Sequence, residues 1–356
     1  LSSIIISLLL IGVLVVVHEF GHFFVAKKSG IRVEEFAIGM GQKIFSIKKG
    51  DTEYSLRLFP FGGFCRMEGE SRDGTYSETS FFSKPIHIRL MVMAAGPFMN
   101  FLLAMVFIFI LTSATFIFTP EVSKVIENSP AQEIGLQEGD IIRQINGKRI
   151  YIFENMQTVM AKVGGEPIEL EIVRDGQKLT FDMTPMYSEV SRQYLVGFET
   201  TRYLGIFADP IEGFEKLSIF ETIEYSFYSM IYYVQITAEG LTRIFTFTAS
   251  QDEYGGPIAI VQVVGQGFEA GLEESLRAAL LNIVYIGAVL SANLGVLNLF
   301  PIPALDGGRI VFLLIEAIRR KPMNPEWEGR IQFAGFAFLM GLMVYILYGD
   351  IVKILL

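Results

Sequence analysis

Two histidines four residues apart, with a glutamate beside the first, carry the first chemical signal in this chain. The run Val13-Leu-Val-Val-Val-His18-Glu19-Phe-Gly-His22-Phe-Phe-Val25 has the spacing H-E-x-x-H inside an otherwise apolar stretch. On a helix, residues four apart share a face, so His18 and His22 can grip one ion together. Glu19 lies next to them and can take a proton from a water held by that ion. The same short pattern arises by chance in soluble chains. In an apolar helix, however, polar side chains are costly and are seldom kept without a use, which favours the metal. The chain has one further histidine, His87, and a single cysteine, Cys65. A zinc site on the first pair therefore calls for a carboxylate as its third protein ligand. Asp306 is the candidate. It closes the run Asn293-Leu-Gly-Val-Leu-Asn298-Leu-Phe-Pro301-Ile-Pro303-Ala-Leu-Asp306-Gly307-Gly308, where two prolines and a double glycine unwind a helix in or near the membrane. The rival reading, a helix-capping aspartate at the water interface, is weakened by a two-histidine site short of a ligand. Cys65 has no partner for a disulfide or a thiolate site and reads as a small buried residue.

The elements that must position these groups are mostly apolar. The 356 residues are 51% hydrophobic with a mean hydropathy of +0.44, which fits a polytopic membrane protein with a modest water-exposed part. A net charge of −9 offers no basic face for nucleic acid. Residues 3–26, 88–118, 277–300 and 330–349 are each long and apolar enough to span a bilayer. The first reads as a retained span rather than a signal peptide. Its start lacks positive charge, no small-residue cleavage site follows, and the histidines lie within it. The second opens with Met93-Ala-Ala-Gly-Pro97-Phe-Met-Asn100, read as a close helix-packing motif in which Asn100 can hydrogen-bond across the contact. Lys27, Lys28, Arg32, Lys43, Lys48, Lys49, Arg57, Arg66, Arg72 and Lys84 fall between the first two spans, and Arg319, Arg320 and Lys321 follow the third. Both loops lie on one side by parity, and positive-inside bias makes that side cytoplasmic. The metal then sits toward the cytoplasmic half of the bilayer, and the long central segment faces outward.

Between the first two spans, 43–68 reads as a β loop. Lys43–Lys48 and Glu53–Phe59 form short strands around a Lys49-Gly50-Asp51 turn, and Pro60-Phe61-Gly62-Gly63-Phe64 turns the chain again. Such an edge can pair with an extended substrate, or it can simply cover the site. At 119–208 charges return and strands alternate with turns. Asn128-Ser-Pro-Ala-Gln-Glu-Ile-Gly135-Leu136-Gln-Glu-Gly139-Asp140-Ile-Ile-Arg-Gln-Ile145-Asn146-Gly147 reads as a short helix, a glycine turn, a strand and an Asn-Gly hairpin. It resembles the PDZ module, with strands at Pro167–Val173 and Lys178–Met183 and a possible carboxylate-binding loop at Tyr203-Leu-Gly-Ile206. Such a module takes a peptide tail by strand addition, or here excludes large proteins by bulk. Residues 209–276 form a connector in which Phe220, Ile223, Phe227, Met230, Ile231 and Val234 recur at helical spacing, broken by Glu221, Glu224 and Glu239. That pattern favours an interfacial amphipathic helix over a fifth span.

The pairing of His18-Glu19-Phe-Gly-His22 in the first span with Asn298-Leu-Phe-Pro301-Ile-Pro303-Ala-Leu-Asp306-Gly in the third resembles the site-2 protease family, zinc metalloproteases of M50 type. The order of elements is similar to its bacterial RseP-type branch across essentially the whole chain. The resemblance implies a polytopic α-helical membrane protein with four transmembrane helices, a membrane-associated β hairpin, and an inserted extracytoplasmic PDZ-like α+β domain. Its membrane core would comprise 1–118 and 277–356. It implies one Zn2+ per chain on His18, His22 and Asp306, with Glu19 catalytic. Asn293 and Asn298 would handle the substrate backbone, and Phe59, Gly62 and Gly63 of the β loop would hold substrate. The implied activity is intramembrane cleavage of single-span proteins, such as membrane-tethered anti-sigma factors or signal-peptide remnants, in a bacterial cytoplasmic membrane. Some family members carry two tandem PDZ modules, whereas 120–206 has room for one. Two other readings compete. A non-catalytic PDZ-bearing adaptor with a structural metal needs no base, and Glu19 argues against it. A transporter would show a paired inverted break in the first half of the chain, and none is present.

Overall fold

A computed structural model describes residues 2–70, 77–189, 192–246, 248, 250 and 255–355. Arg72, and parts of the expected connector at 247, 249 and 251–254, lie outside them. In chain order the helices and strands are α1 (Ser2–Lys28), β1 (Val33–Lys49), β2 (Thr52–Met67), α2 (Ile86–Ala114), β3 (Phe116–Val125), α3 (Pro130–Glu133), β4 (Ile141–Ile145), β5 (Lys148–Arg149), α4 (Phe153–Met160), β6 (Ile168–Arg174), β7 (Gln177–Met183), β8 (Met186–Ser188), β9 (Gln193–Leu195), β10 (Phe198–Leu204), α5 (Ile219–Phe245), α6 (Pro257–Glu274), α7 (Leu276–Leu299), α8 (Asp306–Arg319) and α9 (Pro325–Leu355). The chain divides into two compact units, one of Leu1–Phe107 with Tyr233–Leu356 and one of Ile108–Tyr232.

Among the described residues, α1, α2, α7 and α9 are long and apolar enough to cross a membrane. Their apolar side chains remain largely exposed, as lipid-facing helices require. The buried face of α1 is Ser7, Leu10, Leu14, His18, Gly21, His22 and Ala26, a run of three- and four-residue steps that turns both histidines inward. On α7 the buried face is built from small residues, Ala279, Gly287, Ala288, Ser291, Ala292 and Gly295, which let neighbouring helices approach. Beyond α5, Gly255-Gly256-Pro257 breaks the chain as its composition suggests. The carboxylate of Asp350 on α9 then caps α6 from a distance, accepting from the N–H groups of Gly256, Ile258 and Ala259 at 3.0, 3.2 and 3.2 Å. The helix α5 has the amphipathic character expected and is not among the candidate spans. Its buried positions are the hydroxyl residues Thr222, Ser226 and Ser229, while Ile219, Phe220, Ile223 and Phe227 are exposed.

The strands of the β loop run further than the two short segments read from the sequence. β1 and β2 pair antiparallel from Val33↔Met67 to Lys49↔Thr52. Residues 35–38 also pair with 53–56, and 43–49 with 52–57, so the two bent strands make a small sheet of four segments. The bends fall at glycines in the left-handed region, Gly39 (φ +84°) and Gly62 (φ +83°). These bends hid the outer segments from a period-two reading. Gly63–Met67 is an edge segment of this sheet, paired only with 33–38 among the described residues.

The second unit carries a sheet ordered β10-β3-β4-β6-β7, with β5 hydrogen-bonded to β4. Val122, Leu136, Ile142, Ile145, Met156, Leu170 and Ile172 are at the centre of its core. Asn146-Gly147 and Asp175-Gly176 turn its hairpins with positive φ at both residues, the hairpin chemistry expected of Asn-Gly and Asp-Gly. Asp140 is fully buried and accepts both arms of Arg174 at 2.7 Å. A groove of about 670 Å³ lies between α4 and the edge strand β10, lined by Phe153, Met156, Met160, Tyr194, Val196 and Phe198. Tyr203 and Leu204, proposed from the sequence as a carboxylate-binding loop, are instead strand residues. Tyr203 pairs with Ile117 and Leu204 with Phe116. The Gly205 N–H donates to Thr115. Their backbone is already committed to the sheet, and the groove is lined by Tyr194–Val196 and Phe198–Arg202, ending just before them.

Candidate metal centre

The two imidazoles of α1 meet edge to face, with centroids 4.9 Å apart. The third group comes from 284 residues beyond His22 in sequence terms and adjoins them through a loop. α7 ends at Leu299, because Pro301 and Pro303 cannot donate to a continuing helix ladder. The chain restarts as α8 at Asp306. Asp306 is thus the first residue of a new amphipathic helix rather than a point within an unwound span. The glycine after it is required by close approach: a Cβ at Gly307 would collide with the carbonyls of Leu299 and Phe300. α8 is held to α2 by a buried ion pair in which Arg89 donates to Glu316 at 2.6 and 3.2 Å.

The geometry brings three donors to one point. His18 Nε2 and His22 Nε2 lie 3.1 and 3.2 Å from Asp306 Oδ2 and 3.2 Å from one another. His22 Nδ1 is 2.8 Å from the carbonyl of Val92, which can only accept, so Nδ1 carries the proton and Nε2 presents a lone pair. His18 Nδ1 is 3.0 Å from Asn100 Nδ2, while Asn100 Oδ1 lacks a hydrogen-bond partner. In this orientation Nδ2 donates to Nδ1; exchanging the amide nitrogen and oxygen would give the orphaned Oδ1 a donor in Nδ1–H and leave His18 Nε2 free. Asp306 Oδ2 is itself buried without a hydrogen-bond donor. With both imidazoles neutral and protonated at Nδ1, three buried lone pairs converge, an arrangement that a cation resolves. Their spacing also suits a tetrahedral zinc, whose ligand atoms at bonds of about 2.0–2.1 Å stand about 3.3 Å apart. The donor set therefore fits the ion.

Glu19 faces the same cavity, of about 370 Å³, with Cys65, Met67, Glu70, Met93, Asn298, Leu305 and Arg309 on its walls. Cys65, on the Gly63–Met67 edge segment, shares the cavity wall with Glu19. Arg309, one turn beyond Asp306, pairs with Glu70 at the cavity wall.

Of the residues singled out as substrate contacts, Asn298 lines the cavity. Gly63 packs against the side chain of Glu19, so that a Cβ there would lie 3.5 Å from its Cγ. Gly62 sits at the bend under Met40, and Phe59 pairs with Met40 away from the cavity. Asn293 hydrogen-bonds to Thr237 and is not on the cavity wall. The Met93–Asn100 stretch, read as packing alone, does more. Asn100 contacts His18, and a Cβ on Gly96 would press into His22 Nε2 and within 2.7 Å of His18 Nε2. A lone asparagine in an apolar span was the available signal, and Gly96 had none, because a packing glycine and a site glycine look alike in sequence.

Comparison with known proteins agrees across the chain. Residues 6–342 match the family described as Peptidase family M50. A Clostridium perfringens chain named as a zinc metalloprotease is 39% identical, over 98% of each chain. The zinc metalloprotease RasP of Shouchella clausii is 32% identical over 99% of this chain and all of that one. The regulator of sigma-W protease RasP of Bacillus subtilis is 30% identical over all of this chain and 99% of that one.

Proposed function

The chain belongs to peptidase family M50 and is a zinc metalloprotease of the bacterial membrane, similar to site-2 proteases; on that premise we propose that His18, His22 and Asp306 hold the zinc and Glu19 is the catalytic carboxylate. The observation that carries this reading is the meeting of two imidazoles on the buried face of an apolar helix with the Asp306 carboxylate, and a second carboxylate, Glu19, beside them in the same cavity. Zinc held there supplies Lewis acidity toward the scissile carbonyl. Glu19 accepts a proton from the attacking water and returns it to the leaving amine. Gly63, which has no side chain, lets the β segment pack close along the side chain of Glu19. Asn298 is the cavity-wall amide able to hydrogen-bond the substrate backbone.

The substrates we propose are single-span membrane proteins, among them membrane-tethered regulators of sigma factors, the class to which the name of the Bacillus subtilis relative points. A substrate helix hides its carbonyls in internal hydrogen bonds and must unwind before attack. The edge segment Gly63–Met67 offers replacement bonds by strand addition beside Glu19. The basic residues around β1 and β2 favour a cytoplasmic position for this loop and a site in that half of the bilayer. The unit between α2 and α5 is read as a single PDZ-like domain at 119–208, facing outward. Its edge strand, flanking helix α4 and apolar groove support a peptide tail as ligand.

The test is Glu19→Gln in the purified full chain, assayed for zinc content and for cleavage of a panel of single-span peptides. Full zinc with no cleavage is expected. Turnover in that variant would remove Glu19 from the role, and cleavage undiminished by a zinc chelator would remove the metal.

A further inference from the structure

Asp306 reaches the histidines from a six-residue loop that closes one turn of its own, Leu305 N–H donating to Ile302 at 3.2 Å, and that is also held from a helix remote in sequence. Ala304, two residues before the carboxylate, has φ +80°, a left-handed conformation that L-residues disfavour. Its N–H donates to Oε1 of Gln332 on α9. One turn further along α9, Gly335 is buried against Pro303, and a Cβ there would collide with the Pro303 carbonyl and side chain. Residues 303 and 304 are therefore gripped from one side by two positions of α9. Most of that helix is exposed, apart from its far end, where buried Asp350 caps α6. α8 itself is anchored independently, by Arg309 to Glu70 and by Glu316 to Arg89.

We propose that Gln332 is a positioning residue for the metal ligand: by holding Ala304 left-handed it sets the direction from which Asp306 faces His18 and His22. The proposal rests on the zinc site described above. The physical reason is local. Without the acceptor on α9, the Leu305–Ile302 turn bond still restrains the left-handed Ala304, but the strain at that residue is no longer offset, and the chain enters α8 along a different path. The anchors of α8 keep the helix in place, so the aim of the carboxylate changes while the fold is retained. The mostly lipid-exposed α9 thereby becomes part of the machinery that sets metal affinity.

The experiment uses the full chain in detergent micelles with four variants: Gln332→Ala, Gln332→Glu, Ala304→Gly and the double variant Gln332→Ala with Ala304→Gly. Zinc is titrated against a competing chelator, and kcat and KM are measured on one single-span peptide at limiting zinc. Gln332→Ala should weaken zinc binding by about tenfold, as loss of a supporting hydrogen bond to a metal site does, and lower kcat with KM unchanged. Gln332→Glu retains an acceptor and should bind zinc like the parent. Adding Ala304→Gly to Gln332→Ala should recover most of the loss, because glycine takes positive φ without steric cost. Parent-like zinc affinity in Gln332→Ala, equal losses in the Ala and Glu variants, or a failure of glycine to rescue would each overturn the proposal. A parent chain that binds no zinc would overturn the site itself and this inference with it.

Discussion

Replacing Gly96 by alanine should empty the metal site while leaving the protein folded. The added methyl would stand 2.7 Å from both Cε1 and Nε2 of His18 and closer still to Nε2 of His22. An aliphatic carbon rests at about 3.5 Å or more from a heavy neighbour, so the His18 ring edge must retreat by about 0.8 Å and His22 Nε2 by about 1.2 Å, or the helices must part by as much. Zinc sites hold their bond lengths to within about 0.2 Å, so the displacement is roughly four to six times what the coordination tolerates. Loss of a supporting contact alone costs a metal site about 10–100-fold in affinity, and intrusion between two ligands should cost more than about 100-fold. Against this, alanine is favoured over glycine within a helix by about 1 kcal/mol, which offsets part of an overpacking cost of about 1–3 kcal/mol. The assay is zinc stoichiometry on the purified variant, alongside helicity and thermal unfolding. Native helicity with no zinc and no cleavage is the expected outcome. One equivalent of zinc and parental cleavage in this variant would refute both the placement of Gly96 and the site drawn around it.

Three further outcomes follow from the same geometry. Asn100→Ala should lower zinc affinity by about 10–100-fold without loss of helicity, because His18 loses the partner that fixes its tautomer; unchanged affinity in a chelator titration would show the contact to be idle. Glu316→Ala should destabilise by about 3–5 kcal/mol by stranding the buried guanidinium of Arg89, whereas Arg89→Met with Glu316→Leu should be near neutral. Thermal unfolding that ranks the double variant below the single one would contradict this. On the substrate side, glycine or proline introduced near the cut should speed cleavage by lowering the cost of unwinding; no change across several single-span peptides would argue against strand addition at the Gly63–Met67 edge.

Much of this chemistry was legible because it is written in local periodicity. His18 and His22 share a helix face by spacing alone, and Glu19 is fixed beside them by adjacency. The four long apolar helices follow from length and hydropathy, and the Asn146-Gly147 and Asp175-Gly176 hairpins from turn chemistry. The extent of the β loop was less legible. Glycine bends at 39 and 62 interrupt its alternation, and its pairing of 35–38 with two other segments is a long-range choice. Phe59 and Asn293 were drawn in as substrate contacts by their place in a motif, yet neither lines the cavity.

By itself, then, the sequence determined which side chains can bind a metal, that the first pair lies on one face of an apolar helix, and that a carboxylate is wanted from elsewhere. Only the tertiary structure decided how Asp306 arrives, through a left-handed Ala304 held from α9 and an α8 pinned to α2. It also decided that Gly96 and Asn100 frame the imidazoles. The reason is physical: helical spacing is a property of neighbouring residues, whereas the approach of groups 284 residues apart depends on which backbones can come close, and that depends on every contact between them.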